Sequence, residues 1–305
     1  MIRIGIDVGG TKIAGIAMNA TDVVVSQMRV STPRDDYQAG VTAICKMVRG
    51  LATESGNDNF TVGIGIPGSL TTVSGKVQNA NSTWINGRYF KKDIEMLLGQ
   101  QVRMANDANC LALSESHDGA GHGNQTVFGV ILGTGCGGAL VISDQLVQGR
   151  NSITGEWGHT SLPWAKQSEH PGPLCWCGRN GCMETWVSGP ALARDYFDVS
   201  GLSSSPENIS KAAITGEVEA LECLDRHLDR CARGLAQVAN ILDPDIFVIG
   251  GGLVDLPFLV ERLPQAMAPY VFADEVDIKV VAARHGPASG ARGAARLWSN
   301  FKIKG

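Results

Sequence analysis

A group of cysteines near the middle of the chain has the residue types and spacing of a metal site. Residues 175–182 read C-x-C-G-x-x-G-C, and His159 lies a short way upstream. Three thiolates and one imidazole suit a closed tetrahedral Zn²⁺ site. The sequence therefore predicts a structural zinc. Four protein ligands leave no open position for water, so a catalytic zinc fits less well. Buried free cysteines or a disulfide are the alternatives, although Cys175 and Cys177 are too close in sequence to favour pairing.

Carboxylates lie on both sides of this cluster, with Glu156 before His159 and Glu184 after Cys182. Sugar hydroxyls donate and accept hydrogen bonds, so carboxylate and amide side chains suit them. Solvated surface acids are the alternative for the two glutamates. His159 is predicted to bind zinc, sugar, or both through its two ring nitrogens. The predicted sugar contacts are Gly68, Asn81, Asn106, Glu156, His159 and Glu184.

Three glycine clusters each follow a short apolar run, at residues 9–10, 133–138 and 250–252. In the first two an apolar run resumes at once, which predicts a β-hairpin with a glycine-rich tip. The repetition suggests two related domains that face each other across a cleft. Backbone amides in such tips form anion-binding concavities, so two tips are predicted to hold ATP phosphates. The alternative is plain hairpin glycines.

Side chains beside the glycines extend the predicted nucleotide site. Thr11, Lys12 and Thr134 add donors, Asp7 is placed to hold Mg²⁺ through water, and the third cluster would let adenine lie close to backbone. The predicted nucleotide and Mg²⁺ residues are Asp7, Gly9, Gly10, Thr11, Lys12, Gly133, Thr134, Gly135, Gly250, Gly251 and Gly252.

Asp107 is the predicted catalytic base. It follows Asn106 at the end of a short strand, and a helix carrying Leu111 and Leu113 opens after it. In phosphoryl transfer, a carboxylate orients the attacking hydroxyl and accepts its proton. The alternative is a helix N-cap, a role that Asp performs well.

Composition describes an ordinary globular protein. The chain has 305 residues, 44% apolar and 18% charged, with net charge −4. No basic run favours nucleic acid, and no apolar run is long enough to span a membrane. The first residues include Asp7, so they do not read as a signal peptide. With eight cysteines in zinc-like or scattered positions, we expect a reducing cytoplasm.

Apolar spacing predicts helices around residues 41–51, 218–242 and 288–298, and strands at 62–68, 102–105 and 246–249. A small N-terminal α/β domain is predicted at 1–118, with a terminal helix at about 290–305 packed back on it. A large α/β domain with the zinc loop is predicted at 119–289.

The motifs together resemble the ROK family (repressors, open reading frames and sugar kinases) over essentially the whole chain. The matching segments are 7–12, 66–68, 105–109, 133–135, 155–159, 175–184 and 249–252. Within that family, residues 32–37, 79–84 and 151–159 are most similar to bacterial fructokinases of the manno(fructo)kinase type.

The resemblance implies an α/β protein of the actin-like ATPase (ribonuclease H-like) fold, with two domains and an interdomain cleft. It implies a homodimer, ATP and Mg²⁺ as cofactors, Asp107 as base and as a sugar contact, and the other sugar contacts above. It also assigns the structural Zn²⁺ to His159, Cys175, Cys177 and Cys182.

The leading prediction is an ATP-dependent kinase for the 6-hydroxyl of D-fructose, with mannose as a further candidate. The alternative is an N-acetylglucosamine or N-acetylmannosamine kinase, or a glucokinase, of the same family. A sugar-responsive repressor would need a DNA-binding domain ahead of the first strand, which begins at residue 2. An actin-like structural ATPase would not explain the cysteine cluster.

Overall fold

The computed structural model of the protein describes residues 1–57 and 59–298. The strands follow one another along the chain as β1 (Ile2–Val8), β2 (Lys12–Met18), β3 (Val24–Ser31), β4 (Phe60–Ile66), β5 (Ser69–Leu70), β6 (Val77–Gln78), β7 (Val102–Asn106), β8 (Thr126–Leu132), β9 (Cys136–Ile142), β10 (Gln145–Val147), β11 (Ile246–Gly250) and β12 (Val280–Ala282). The α-helices are α1 (Tyr37–Ser55), α2 (Phe90–Leu98), α3 (Asp107–Asp118), α4 (Glu184–Val187), α5 (Gly189–Ser200), α6 (Pro206–Ile214), α7 (Val218–Leu242), α8 (Leu259–Met267) and α9 (Ser289–Arg296). Short 3₁₀ turns lie at Thr83–Ile85, Trp157–His159, Gln167–Glu169, Ala268–Tyr270 and Gly286–Ala288.

The chain forms two compact units. Unit 1 contains Met1–Gly123, Leu140–Thr154 and the described residues from Arg284 on, and unit 2 contains Asn124–Ala139 and Gly155–Ala283. The predicted division at 118/119 stays a prediction. The last part of the predicted terminal helix, residues 299–305, lies outside the described residues.

Two five-stranded sheets repeat one pattern of pairing. The first has the order β3-β2-β1-β4-β7, in which β1 to β3 form an antiparallel meander and β4 pairs in parallel with both β1 and β7. The second has the order β10-β9-β8-β11-β12, in which β11 pairs in parallel with both β8 and β12. The first predicted hairpin is therefore confirmed as β1–β2, with the turn at residues 9–11.

Helices cover both faces of the first sheet. The spacing of Val41, Ile44, Val48 and Leu51 turns one face of α1 to the core, where all four are buried. On the other face α9 comes so close to the strands that a Cβ on Gly63 would lie 1.8 Å from the carbonyl oxygen of Ala294. Only a glycine allows that approach.

A buried carboxylate fixes the start of α9. The Glu115 side chain in α3 is fully buried and accepts hydrogen bonds from the backbone N–H groups of Arg284 at 2.8 Å and His285 at 3.0 Å. The Ser289 hydroxyl donates to it at 2.8 Å, and the N–H of Ala120 at 2.9 Å. These four hydrogen bonds compensate for the burial of the Glu115 carboxyl group, because they replace the hydrogen bonds that it would make to water.

Helices α5, α6 and α8 pack against the long helix α7 in unit 2. The prediction of this helix was confirmed, and it ends at Leu242 before Asp243, which has a left-handed φ of 42°. Among the described residues, we find no helix with the length and apolar character required to cross a membrane.

The edge strand β3 was not predicted. None of its residues is fully buried, and Val24 and Val30 are among those that are exposed. An edge strand without a buried face lacks the regular alternation by which strands are recognised in a sequence.

Candidate active site

Two aspartates of unit 1 lie at the carboxyl ends of parallel strands. Asp7 is the last but one residue of β1, and Asp107 follows β7 as the first residue of α3. Because β4 pairs in parallel with both strands, these ends share one edge of the sheet. Burial and the nearby Asp107 charge raise the pKa of Asp7 to about 6, although the Lys12 ammonium opposes the shift.

Asn106, rather than Asp107, is the N-cap residue of α3. Its Oδ1 accepts a hydrogen bond from the N–H of Ala108 at 2.9 Å, and its Nδ2 donates to the carbonyl oxygen of Gly68 at 3.1 Å. Asp107 also accepts from Ala108, at 2.8 Å. Burial raises the pKa of Asp107, while backbone and Asn106 hydrogen bonds oppose that shift. The helix start therefore holds the carboxylate in place.

Two residues that sequence reasoning did not assign border this pair. A Cβ on Gly290, in the first turn of α9, would lie 2.8 Å from the Asp7 carboxylate. The buried Cys110 lies one helical turn beyond Asp107, and burial, Asp7 and Asp107 raise its pKa well above the ordinary value. The small residues at the start of the last helix were the available signal for Gly290.

The first glycine turn is braced by residues that follow β3. The N–H of Gly9 donates to the carbonyl oxygen of Lys12 at 2.9 Å, and the Thr32 hydroxyl donates to the Gly9 carbonyl at 2.7 Å. A Cβ on Gly10 would lie 3.5 Å from the Ser82 hydroxyl. The turn therefore lies beside the loop that carries Asn81, which is exposed.

The other two glycine segments meet in unit 2. The Gly133 carbonyl oxygen accepts from the N–H of Gly189, at the start of α5, at 2.7 Å. Gly251 has φ +92°, and its Cβ position lies 2.2 Å from the Leu132 carbonyl oxygen. Thr134 is exposed at the tip of the turn. Because β8 and β11 are parallel, both glycine loops lie at their carboxyl ends.

The predicted metal ligands also converge. One potential ligand atom from each of His159, Cys175, Cys177 and Cys182 lies within 4.8 Å of the others. The Sγ atoms of Cys177 and Cys182 are 3.6 Å apart, as are Cys175 Sγ and His159 Nδ1. Zn–S bonds of about 2.3 Å in a tetrahedron separate two sulfurs by about 3.8 Å. The four donors therefore have a separation and chemistry that fit Zn²⁺.

The charge of this cluster supports the same interpretation. Burial and the neighbouring Cys177 and Cys175 thiols raise the pKa of Cys182 to about 12. Although burial opposes the shift, a backbone hydrogen bond at Arg179 and contacts with the other two thiols lower the pKa of Cys177. A bound divalent cation would favour the ionised form of all three cysteines, because it attracts each thiolate.

Glu184 joins the cysteine cluster to the glycine turn. Its Oε2 accepts a hydrogen bond from the N–H of Cys136 at 2.9 Å, and its Oε1 accepts from the indole Nε1 of Trp176 at 2.6 Å. A Cβ on Gly135 would lie 2.8 Å from Glu184 Oε2. The carboxylate thus lies beside the turn at residues 133–135, which the sequence had assigned to phosphate.

Glu156 directly precedes the 3₁₀ turn Trp157–His159. The indole of Trp157 is buried and donates to the Gly137 carbonyl oxygen at 2.9 Å, and the N–H of His159 donates to the Glu156 carbonyl at 3.2 Å. Packing in β9 therefore sets the backbone that carries Glu156 and His159.

Within each unit the structure gathers the predicted residues. Unit 1 carries Asp7, Gly9, Gly10, Thr11, Lys12, Gly68, Asn81, Asn106 and Asp107. Unit 2 carries Gly133, Thr134, Gly135, Glu156, His159, Cys175, Cys177, Cys182, Glu184, Gly250, Gly251 and Gly252.

The chain is similar to proteins of one family along almost its whole length. The model of the ROK family matches residues 3–300. N-acetyl-D-glucosamine kinase of Photobacterium profundum is 39% identical over 298 residues, which cover 96% of this chain and 98% of the relative.

Two solved structures are similar along nearly their whole length. The ROK hexokinase from Thermus thermophilus has a TM-score of 0.85 and 28% identity, covering 97% of both chains. A ROK family glucokinase from Streptomyces griseus, in complex with glucose and AMPPNP, has a TM-score of 0.81 and 30% identity, covering 97% of this chain and 99% of that one. The predicted α/β fold of the actin-like ATPase class is confirmed.

We predict that Asp7→Asn stabilises the protein at pH 7.5 when neither divalent cation nor nucleotide is present. The raised pKa means that the folded state disfavours the Asp7 carboxylate. That penalty is absent at low pH and develops as pH rises from the unfolded pKa of 3.8 to about 6. The variant should gain about 1–3 kcal/mol in unfolding free energy at pH 7.5, and less than about 1 kcal/mol at pH 4.

Denaturant unfolding at both pH values measures this difference. The exposed Asp36→Asn is the control and should change little at either pH, since Asn caps α1 as well as Asp does. An Asp7→Asn protein no more stable than wild type at pH 7.5 would contradict the prediction.

We predict about one bound zinc per chain, because four converging ligands make one closed site. Cys177→Ser should lose most of the zinc, and Cys45→Ala, which alters a buried cysteine of α1, should retain it. Elemental analysis of the purified proteins measures this. Wild-type protein that contains no zinc and takes up none on dialysis would show that the cluster is not a zinc site.

Proposed function

The chain belongs to the ROK family and is a sugar kinase, and we propose that its substrate is N-acetyl-D-glucosamine, phosphorylated on the 6-hydroxyl by ATP. The observation that carries the proposal is the 39% identity to an N-acetyl-D-glucosamine kinase across 96% of the chain. The sequence patterns had favoured fructose. The identity to an N-acetyl-D-glucosamine kinase supports the predicted N-acetylhexosamine alternative better than fructose.

Asp107 is the proposed base. It lies half-buried at the start of α3, and burial raises the pKa of its carboxyl group. A carboxylate in this position would orient the sugar hydroxyl and accept its proton as the phosphoryl group transfers, while the other product is ADP. A raised pKa strengthens it as a proton acceptor, provided that it remains ionised at the working pH.

Asp7 is proposed to hold the Mg²⁺ of Mg-ATP through water. Mg²⁺, when bound, neutralises charge on the β- and γ-phosphates. Asp7 lies at the end of β1, and the Lys12 ammonium favours its ionised form. The glycine turns at residues 9–11 and 133–135 would supply backbone N–H donors to the phosphates.

The sugar is proposed to contact a set of polar side chains and one glycine. Asn106 and Gly68 are already joined by a hydrogen bond, and Glu184 is held by Cys136 and Trp176. Zinc, when bound by the four ligands, would supply a crosslink that holds His159 and the segment leading to Glu184. The proposed sugar contacts are Gly68, Asn81, Asn106, Asp107, Glu156, His159 and Glu184.

The proposal is tested by steady-state kinetics with Mg-ATP and a panel of sugars. We expect kcat/KM for N-acetyl-D-glucosamine to exceed that for fructose, mannose, glucose and N-acetylmannosamine by about tenfold or more. A site that hydrogen-bonds the N-acetyl group in one configuration at C2 rejects sugars that lack the group or carry it in the other configuration. Fructose as the best substrate would replace this proposal with the fructokinase prediction, and no phosphorylation of any sugar would overturn both.

Asp107→Asn should lower kcat about 10²–10⁴-fold while the KM for sugar and ATP changes little, because the amide keeps the shape but does not accept the proton. The control is Asp36→Asn, an exposed helix cap in unit 1, with wild-type kinetics expected. Turnover within threefold of wild type in the Asp107 variant would remove it from the role of base.

A further inference from the structure

We propose that Trp176 is a positioning residue of the sugar site, which holds the Glu184 carboxylate in its working orientation. The inference rests on the proposed function, since Glu184 and His159 are sugar contacts only within it. Trp176 lies between two of the predicted metal ligands and was not itself assigned a role by its residue type or spacing.

The backbone around Trp176 is closed into a tight turn. The N–H of Gly178 donates to the Cys175 carbonyl oxygen at 2.9 Å, and the N–H of Cys175 donates to the Arg179 carbonyl at 2.8 Å. These bonds set the direction in which the side chain leaves the main chain. The backbone turn therefore directs the indole toward Glu184.

The Trp176 side chain contacts two of the proposed sugar-binding residues, Glu184 and His159. The indole Nε1 donates to Glu184 Oε1 at 2.6 Å. The ring meets the imidazole of His159 edge to face, with centroids 4.9 Å apart and an interplanar angle of 90°. One residue therefore constrains the rotamers of two others, through a charge-assisted hydrogen bond and an aromatic contact.

The second oxygen of Glu184 completes the restraint. Because Oε2 accepts from the N–H of Cys136 at 2.9 Å, the carboxylate is held at both oxygens. A carboxylate has about four lone-pair directions, so two remain for sugar hydroxyls. Without the indole N–H, Glu184 would keep one restraint and could turn about its Cδ, away from the orientation that a sugar needs.

Burial does not explain why a tryptophan occupies this position. Its side chain is 56% exposed, so it adds little to the core. An exposed indole whose N–H binds a carboxylate matches the use of tryptophan at ligand sites, where one edge is polar and the face is apolar. The contact with Glu184 is therefore the principal interaction of the side chain that a substitution would remove.

The test compares Trp176→Phe with Trp164→Phe. Phenylalanine keeps an aromatic ring beside His159 but lacks the N–H. We expect the KM for N-acetyl-D-glucosamine to rise about tenfold or more in Trp176→Phe, because a hydrogen bond to a charged group is lost. The KM for ATP, the melting temperature and the zinc content should match wild type. Trp164 is similarly exposed, at 53%, and packs on Tyr270, so its variant should show no change.

A double-mutant cycle with Glu184→Ala separates positioning from general structure. If Trp176 acts through Glu184, adding Trp176→Phe to Glu184→Ala should change the sugar affinity less than about twofold, as measured by calorimetry without ATP. An unchanged sugar KM in Trp176→Phe, or an equal loss in the presence and absence of Glu184, would overturn the inference. Failure of the proposed function would show differently, as wild-type protein that does not phosphorylate the sugar.

Discussion

Parallel pairing of β4 with β1 and β7 is the constraint on which the catalytic part of unit 1 depends. It places the carboxyl ends of three strands at one edge, so that Asp7 and Asp107 come together from distant parts of the sequence. The same arrangement brings two negative charges close within partly buried surroundings. Burial raises the pKa of both carboxyl groups, and the Asp107 charge adds to the shift at Asp7, where the Lys12 ammonium opposes it. A strained charge distribution of this kind is typical of functional sites.

The packing of α9 against this sheet depends on small residues and on one buried acid. Gly63 permits the close approach of the helix, and Gly290 permits Asp7 to lie against its first turn. Glu115 then holds the segment that leads into α9, through its hydrogen bonds to Arg284, His285 and Ser289. The surroundings of Asp7 are thus set by residues of α3 and by the chain that returns to unit 1 near the C-terminus.

In unit 2 the carboxylate of Glu184 connects two segments of the site, as Glu115 does in unit 1. Its two oxygens connect β9 to the loop of cysteines, which are far apart in sequence but adjacent in space. Hydrogen bonds through Glu184 therefore connect the proposed sugar contacts to the turn that is proposed to contact phosphate. A change in the cysteine cluster can therefore reach both the proposed sugar contacts and the turn at residues 133–135 through Trp176 and Glu184.

The sequence alone was sufficient for features that are encoded locally. Glycine clusters after apolar runs located the first hairpin, and the apolar spacing along α1 and α7 located those helices. The spacing of Cys175, Cys177 and Cys182 indicated a group of side chains that converge in the structure. Such patterns are readable because each depends on a few neighbouring residues. The sequence patterns favoured fructose, whereas the similarity to an N-acetyl-D-glucosamine kinase favours the N-acetylhexosamine alternative.

Only the tertiary structure decided how the side chains are used. It showed that Asn106 is the N-cap of α3 and that Gly290 lies against Asp7. It also showed that Trp176 and Cys136 donate hydrogen bonds to Glu184. These contacts join segments that lie far apart in the chain. They depend on strand register and on close approach between packed elements, and neither leaves a periodic signal in the sequence.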